Sequence, residues 1–163
     1  VQVEHPVTEM VTGVDIVTEQ LRIAQGLPLS VTQEHISISG HGIECRINAE
    51  DPWRHIPWPG TVTRWVARGG PGVRVESHLY SGYCVPPYYD SLIAKLIVHG
   101  ATREQAIARL RVALNEAVIE GIQSNLSLHR SLMNDPGFED GGVDIHYLET
   151  WLQERPAQTV SPS

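Results

Sequence analysis

Leu92-Ile93-Ala94-Lys95-Leu96-Ile97-Val98-His99 is followed at once by Gly100-Ala101-Thr102-Arg103-Glu104-Gln105-Ala106-Ile107. The first run is short, apolar and introduced by Pro86-Pro87, and it reads as a strand. In the second the period changes. Thr102 and Gln105 form a capping box. Ile107, Leu110, Leu114 and Val118 then recur at spacings of three and four, which predicts one long helix ending at Gly121. Upstream, His41–Asn48 alternates: Ile43, Cys45 and Ile47 on one face, Glu44, Arg46 and Asn48 on the other. Residues 61–67 and 73–77 read as strands joined by a hairpin turn at Arg68-Gly69-Gly70-Pro71-Gly72. A further short strand is expected near Ile36–Ile38. Downstream, helices are expected over about 125–133 and 145–152, and the Pro/Ser-rich residues 155–163 read as a disordered tail. Strands first and helices after, with short connections, predict an α+β domain with an antiparallel sheet.

The 163 residues suffice for a real core, and 41% apolar with 19% charged residues is an ordinary globular composition. A net charge of −7 argues against nucleic acid as a general partner. Cys45 and Cys84 stand far apart and form neither a disulfide framework nor a zinc pattern, which fits a reducing cytoplasmic setting. No apolar run approaches a membrane span.

The chain opens on Val1-Gln2-Val3-Glu4-His5-Pro6, which alternates as a strand does and puts Gln2 and Glu4 on one face. A helix near 15–25 follows, with Val14, Val17, Leu21 and Ala24 in one apolar stripe and Gly26 and Pro28 stopping it. Glu4 beside a proline-enforced turn suits a general base, though spacing alone favours a solvated edge carboxylate. Arg46 is a permanent planar cation that suits an oxyanion, or a structural partner for Glu44. The eight histidines show no metal-binding spacing. Trp53, Trp58 and Trp65 fit a stacking platform or the cover of a core edge. Asn125-Leu126-Ser127 matches a glycosylation sequon, of little meaning in a cytoplasmic protein.

Four stretches together resemble the biotin carboxylase family, part of the ATP-grasp superfamily. They are Gln2–Asp15, Gly40–Pro52, Val85–Ser91 and Asn134–Leu148, in order and over almost the whole chain. The resemblance implies the end of an ATP-grasp domain (residues 1–30) followed by the biotin carboxylase C-terminal domain (31–154). It implies an enzyme that uses ATP, magnesium and bicarbonate to carboxylate biotin on a carrier protein, the first half-reaction of acetyl-CoA carboxylase in fatty acid synthesis. Pyruvate, propionyl-CoA and other acyl-CoA carboxylases share the region.

By resemblance, Glu4 is the base that deprotonates bicarbonate. Gln2 and the Val3 N–H hold that ion, and Arg46 contacts both bicarbonate and the biotin enolate. Arg74 and Glu116 match positions near a homodimer interface. Expected partners are the biotin carboxyl carrier protein and the carboxyltransferase subunits, with neither nucleic acid nor membrane. The family's adenine pocket, glycine-rich lid and metal-binding residues have no counterpart in this sequence. The chain alone is therefore expected to be inactive, without metal or bound cofactor. The alternative is a non-catalytic dimerisation or interaction module. Trp53, Trp58 and Pro71 depart from the family's usual pattern.

Overall fold

A computed structural model describes residues 1–154. At its centre lies strand β6 (Leu92–Gly100), between β1 (His41–Asn48) and β4 (Val73–Ser77) in a three-stranded antiparallel sheet. Cys45 and Val75 stand opposite Leu96, and Arg46 and Glu76 stand opposite Lys95. Because side chains alternate, this register sorts the sheet into two unlike faces. One carries Cys45, Ile47, Leu96 and Val98, all buried in the core. The other carries Glu44, Arg46, Lys95, Arg74 and Glu76.

Helix α3 (Arg103–Glu116) covers the apolar face with Ala106, Leu110, Ala113 and Leu114, all buried. Half of the predicted capping box forms: the Gln105 N–H donates to Thr102 Oγ1 at 3.3 Å, while Gln105 Oε1 accepts from the Ala101 N–H at 3.2 Å and not from that of Thr102. Helix α1 (His5–Thr12) lies over the other face. Gly42 of β1 permits this approach, since a Cβ there would sit 3.1 Å from Val7 Cγ1 and 3.3 Å from Val11 Cγ1. Helix α2 (Ile16–Ala24) follows, capped by Asp15, whose Oδ1 accepts from the Thr18 N–H at 2.8 Å. Beyond α3 come helices α4 (Leu126–Leu132), α5 (Pro136–Asp140) and α6 (Tyr147–Gln153). Buried Asp135 ties the last two together: it accepts from the Phe138 N–H at 3.0 Å, the Trp151 indole N–H at 2.8 Å and the Tyr147 hydroxyl.

The α+β reading holds, and several local expectations do not. Residues 1–4 are no strand. The His5 N–H donates to the Gln2 carbonyl, the Val7 N–H to the Glu4 carbonyl, and Pro6 starts α1. The expected strand at 36–38 is preceded by a 3₁₀ turn (Gln33–His35) and stays irregular, with Ile38 79% exposed.

Residues 61–67 split into β2 (Gly60–Thr61) and β3 (Arg64–Val66), which pair with β5 (Cys84–Val85) and β7 (Val118–Glu120) respectively. The 68–72 turn therefore joins strands of different sheets and is no hairpin. The long helix ends at Glu116, short of Gly121. Ala117 turns extended, and β-branched Val118 and Ile119 pair with Val66 and Trp65. Arg130 takes up the freed helix-end carbonyls of Leu114 and Ala117 at 2.8 Å. The apolar stripe of α2 faces solvent, with Val17 and Leu21 exposed. Trp53 and Trp65 pack against the core, whereas Trp58 is exposed. Residues 155–163 lie outside the described residues.

Leu110 is fully buried where α3 meets the sheet. Leu110→Ala should destabilise the fold by about 2–5 kcal/mol in urea titration, through lost apolar transfer and a residual cavity.

Candidate active site

Arg46 stands on the charged face of β1 near the strand's end, with its side chain half-exposed. Its Nη2 donates to Glu4 Oε2 at 3.1 Å, across 42 residues of sequence. Its Nε lies 3.7 Å from Glu44 Oε1. One guanidinium thus sits between two carboxylates, and the Nη1 donors stay clear of both contacts. Glu4 reaches Arg46 from the N-cap position of α1, and its carboxylate makes no bond to its own helix. The fold brings the two residues together through a helix start.

Beside this pair opens a cavity of about 560 Å³. Val3 and Arg46 line one side, and Tyr83, Tyr89, Val85 and Ile93 line others. Tyr83 is fixed by edge-on contacts with His78 at 5.0 Å and Tyr80 at 5.5 Å. A cation at the wall of a partly apolar cavity suits a small anion beside a neutral, flat ligand. Gln2 is exposed, and its backbone N–H donates to His5 Nδ1 at 2.7 Å.

Glu44 is nearly enclosed, with 6% of its side chain accessible, and its Oε2 has no hydrogen-bond partner. Burial pushes its carboxyl above the ordinary glutamate range; Lys95 and Arg46 oppose the shift, and Glu76 and Glu4 add to it. Further along the face, Arg74 bridges Glu9 Oε2 at 2.6 Å and Glu76, and Glu76 also meets Lys95. Desolvation and these two cations act oppositely on Glu76, and the cations win, lowering its pKa. Arg74 therefore lies under α1. Glu116 is exposed at the end of α3, on the opposite side of the sheet, beside Arg68, Pro71 and Val112.

Two residues that spacing did not single out also converge here. Asn125 Nδ2 donates to the Arg46 carbonyl at 3.1 Å, and its Oδ1 accepts from the Asn48 N–H at 2.9 Å. His129 Nε2 meets the same Arg46 carbonyl at 2.8 Å. A carbonyl only accepts, so Nε2 carries the proton. Burial of the imidazole lowers the His129 pKa, so the neutral ring makes this bond. With Asn125 5% exposed and its amide engaged, the apparent sequon is a packing element. The only signal in the sequence was an asparagine just ahead of a helix.

The chain matches the family model for the biotin carboxylase C-terminal domain over residues 44–150, more than half of its length. The chain belongs to this family. Residues 1–32 match the model for the carbamoyl-phosphate synthase L chain, ATP binding domain. The biotin carboxylase of Pseudomonas aeruginosa is 61% identical over 93% of this chain and 34% of its own. Biotin carboxylase 1 of Bacillus subtilis is 50% identical over 93% of this chain and 34% of its own. The chain thus spans about a third of the length of the curated relatives it matches.

Among solved structures, the biotin carboxylase domain of Hydrogenobacter thermophilus 2-oxoglutarate carboxylase superposes with a TM-score of 0.89 at 50% identity. That match covers 92% of this chain and 33% of the other, a dimer in complex with MgADP and bicarbonate. The biotin carboxylase subunit of a pyruvate carboxylase superposes with a TM-score of 0.91 at 43% identity, over 96% of this chain and 36% of its own. Among the described residues, no helix is long and apolar enough to cross a membrane.

The raised Glu44 pKa has a consequence for stability. The native protein keeps this proton to higher pH than the unfolded chain does, so folding loses stability as pH rises from the ordinary glutamate value through the raised one. Glu44→Gln should remove that loss. Its thermal midpoint should exceed the wild-type value at about pH 8, and the gap should close by about pH 4.

Proposed function

We propose that this chain is the C-terminal part of a biotin carboxylase and supplies the bicarbonate end of its active site. The observation that carries the reading is the Glu4–Arg46 contact at 3.1 Å, with Arg46 lining the cavity. In the complete enzyme, Glu4 takes the proton of bicarbonate, and the resulting oxyanion attacks the γ-phosphoryl group of ATP to give carboxyphosphate and ADP. The bond between the carboxyl carbon and the bridging oxygen of carboxyphosphate then breaks, N1′ of biotin bonds that carbon, and the released phosphate takes the N1′ proton. Arg46 first holds the bicarbonate and then the negative charge on the biotin ring. A fixed guanidinium aimed where charge develops stabilises the transition state without reorganising. Gln2 and the Val3 N–H complete the bicarbonate contacts. The cavity walls at Tyr83, Val85 and Tyr89 receive the biotin ring.

Nucleotide and magnesium call for groups outside this chain. Among the described residues, no group of three His, Cys, Asp or Glu side chains could hold a metal ion. We place the domain boundary near residue 30, which the separate family matches at 1–32 and 44–150 support. The biotin reaches the site on a biotin carboxyl carrier protein, and carboxyltransferase subunits consume the product in the cytoplasm. The dimeric Hydrogenobacter relative supports a homodimer, and Arg74 and Glu116 are proposed to lie near its interface.

In the complete enzyme, Glu4→Gln and Arg46→Ala should each lower kcat for bicarbonate-dependent ATP cleavage coupled to biotin carboxylation by about 10²–10³-fold. Activity equal to wild type in either variant would refute the assignment. For the isolated chain, titration calorimetry with ATP–Mg should give no binding heat, and micromolar binding would contradict the division of labour proposed here.

A further inference from the structure

We infer that Asn125, assisted by His129, is a positioning residue for Arg46. The inference rests on the proposed role of Arg46 and adds to it. Strand β1 is an edge strand, because β6 occupies only one of its sides. Its other side at Arg46 and Asn48 would present unpaired backbone groups. Asn125 pairs them as a strand would. Its amide nitrogen donates to the Arg46 carbonyl, and its amide oxygen accepts from the Asn48 N–H. Its backbone N–H also donates to the Asn48 carbonyl at 3.2 Å. His129, one turn on, adds the second donor to the Arg46 carbonyl.

The arrangement has a local cost that marks it as selective. Asparagine is among the best helix N-caps, and Asn125 stands at the N-cap of α4. Its side chain nevertheless makes no capping bond. Glu4, at the N-cap of α1, does the same. Helix α4 thus forgoes its asparagine cap, and two helix-start side chains bond one residue: Glu4 the guanidinium, Asn125 the peptide. The β1–β6 register also shifts between Ile47 and Asn48, just where Asn125 takes hold. A locally irregular strand would let the Arg46 backbone rock. The Asn125 amide fixes that peptide on its free side.

The test uses the full-length carboxylase carrying this chain, with bicarbonate as the varied substrate. Asn125→Ala and His129→Ala are each made alone and in the Arg46→Ala background. Asn125→Ala should lower kcat/KM for bicarbonate by about 10²-fold, as expected when a catalytic cation moves by about 1 Å. His129→Ala should lower it less, and serves if the first variant folds poorly. With Arg46 already removed, neither change should cost more than about twofold further. An equal loss in both backgrounds would show a merely structural role and overturn the inference. So would single variants that keep wild-type kcat and KM.

A second readout does not need turnover. In the 163-residue chain, nuclear magnetic resonance should show the Asn48 amide losing exchange protection and the Arg46 Nε–H gaining mobility in Asn125→Ala. Unchanged Arg46 signals would also sink the idea. A wild-type enzyme without carboxylase activity would refute the proposed function instead, and the resonance experiment would still decide the role of Asn125.

Discussion

The register of β1 against β6 is the constraint on which the site depends. Strand side chains alternate, so a slip of one residue would turn Arg46 into the core and bring Cys45 to the surface. Burial opposes the slip: Cys45 and Ile47 are 3% and 2% exposed and pack against Leu96, Val98 and α3. Desolvation pushes the Cys45 thiol up to about 12, so it sits there as a small neutral packing group. The hydrophobic effect on one face of the sheet thus fixes where the cation stands on the other.

That other face is organised by charge. Glu9, Arg74, Glu76 and Lys95 form a continuous chain of opposite signs beneath α1, and Arg46 sits between Glu4 and Glu44 at its end. Glu9 also accepts from the Ile16 N–H at 2.9 Å, so one carboxylate joins α1 to both α2 and the sheet. Half-exposed ion pairs contribute little to stability on their own. Their role here is geometric: they set the height and direction of α1, and α1 carries Glu4.

Alternation in β1 and the shift to helical spacing after Gly100 were legible because each reflects a buried face with a simple period. The pairing of Glu4 with Arg46 was reachable only through the resemblance, since spacing alone favoured a solvated carboxylate at Glu4. Residues 1–4 misled because alternation describes a strand only where a partner strand exists, and Pro6 favours a helix start. The end of α3 misled because Val118 continues the helical spacing while its pairing with Val66 wins in three dimensions. The role of Asn125, noticed only as a sequon, was invisible for a related reason: its partner is a peptide group, and peptide groups look alike in every sequence. The stripe on α2 was legible as apolar, yet among the described residues nothing covers Val17 or Leu21.

The bonds at Arg46 also impose an order on biosynthesis. The Arg46 carbonyl meets Asn125 and His129 across 79 and 83 residues of chain. At about 5–20 residues per second, a ribosome makes such a stretch in about 4–16 s. For that time β1 exists without its closing partner, first lacking β6 and then lacking α4. An open strand edge of that kind is a template for pairing with other nascent chains. Asn125 and His129 thus arrive well after the strand they close, and until they do the edge of β1 that carries Arg46 stays open to other partners.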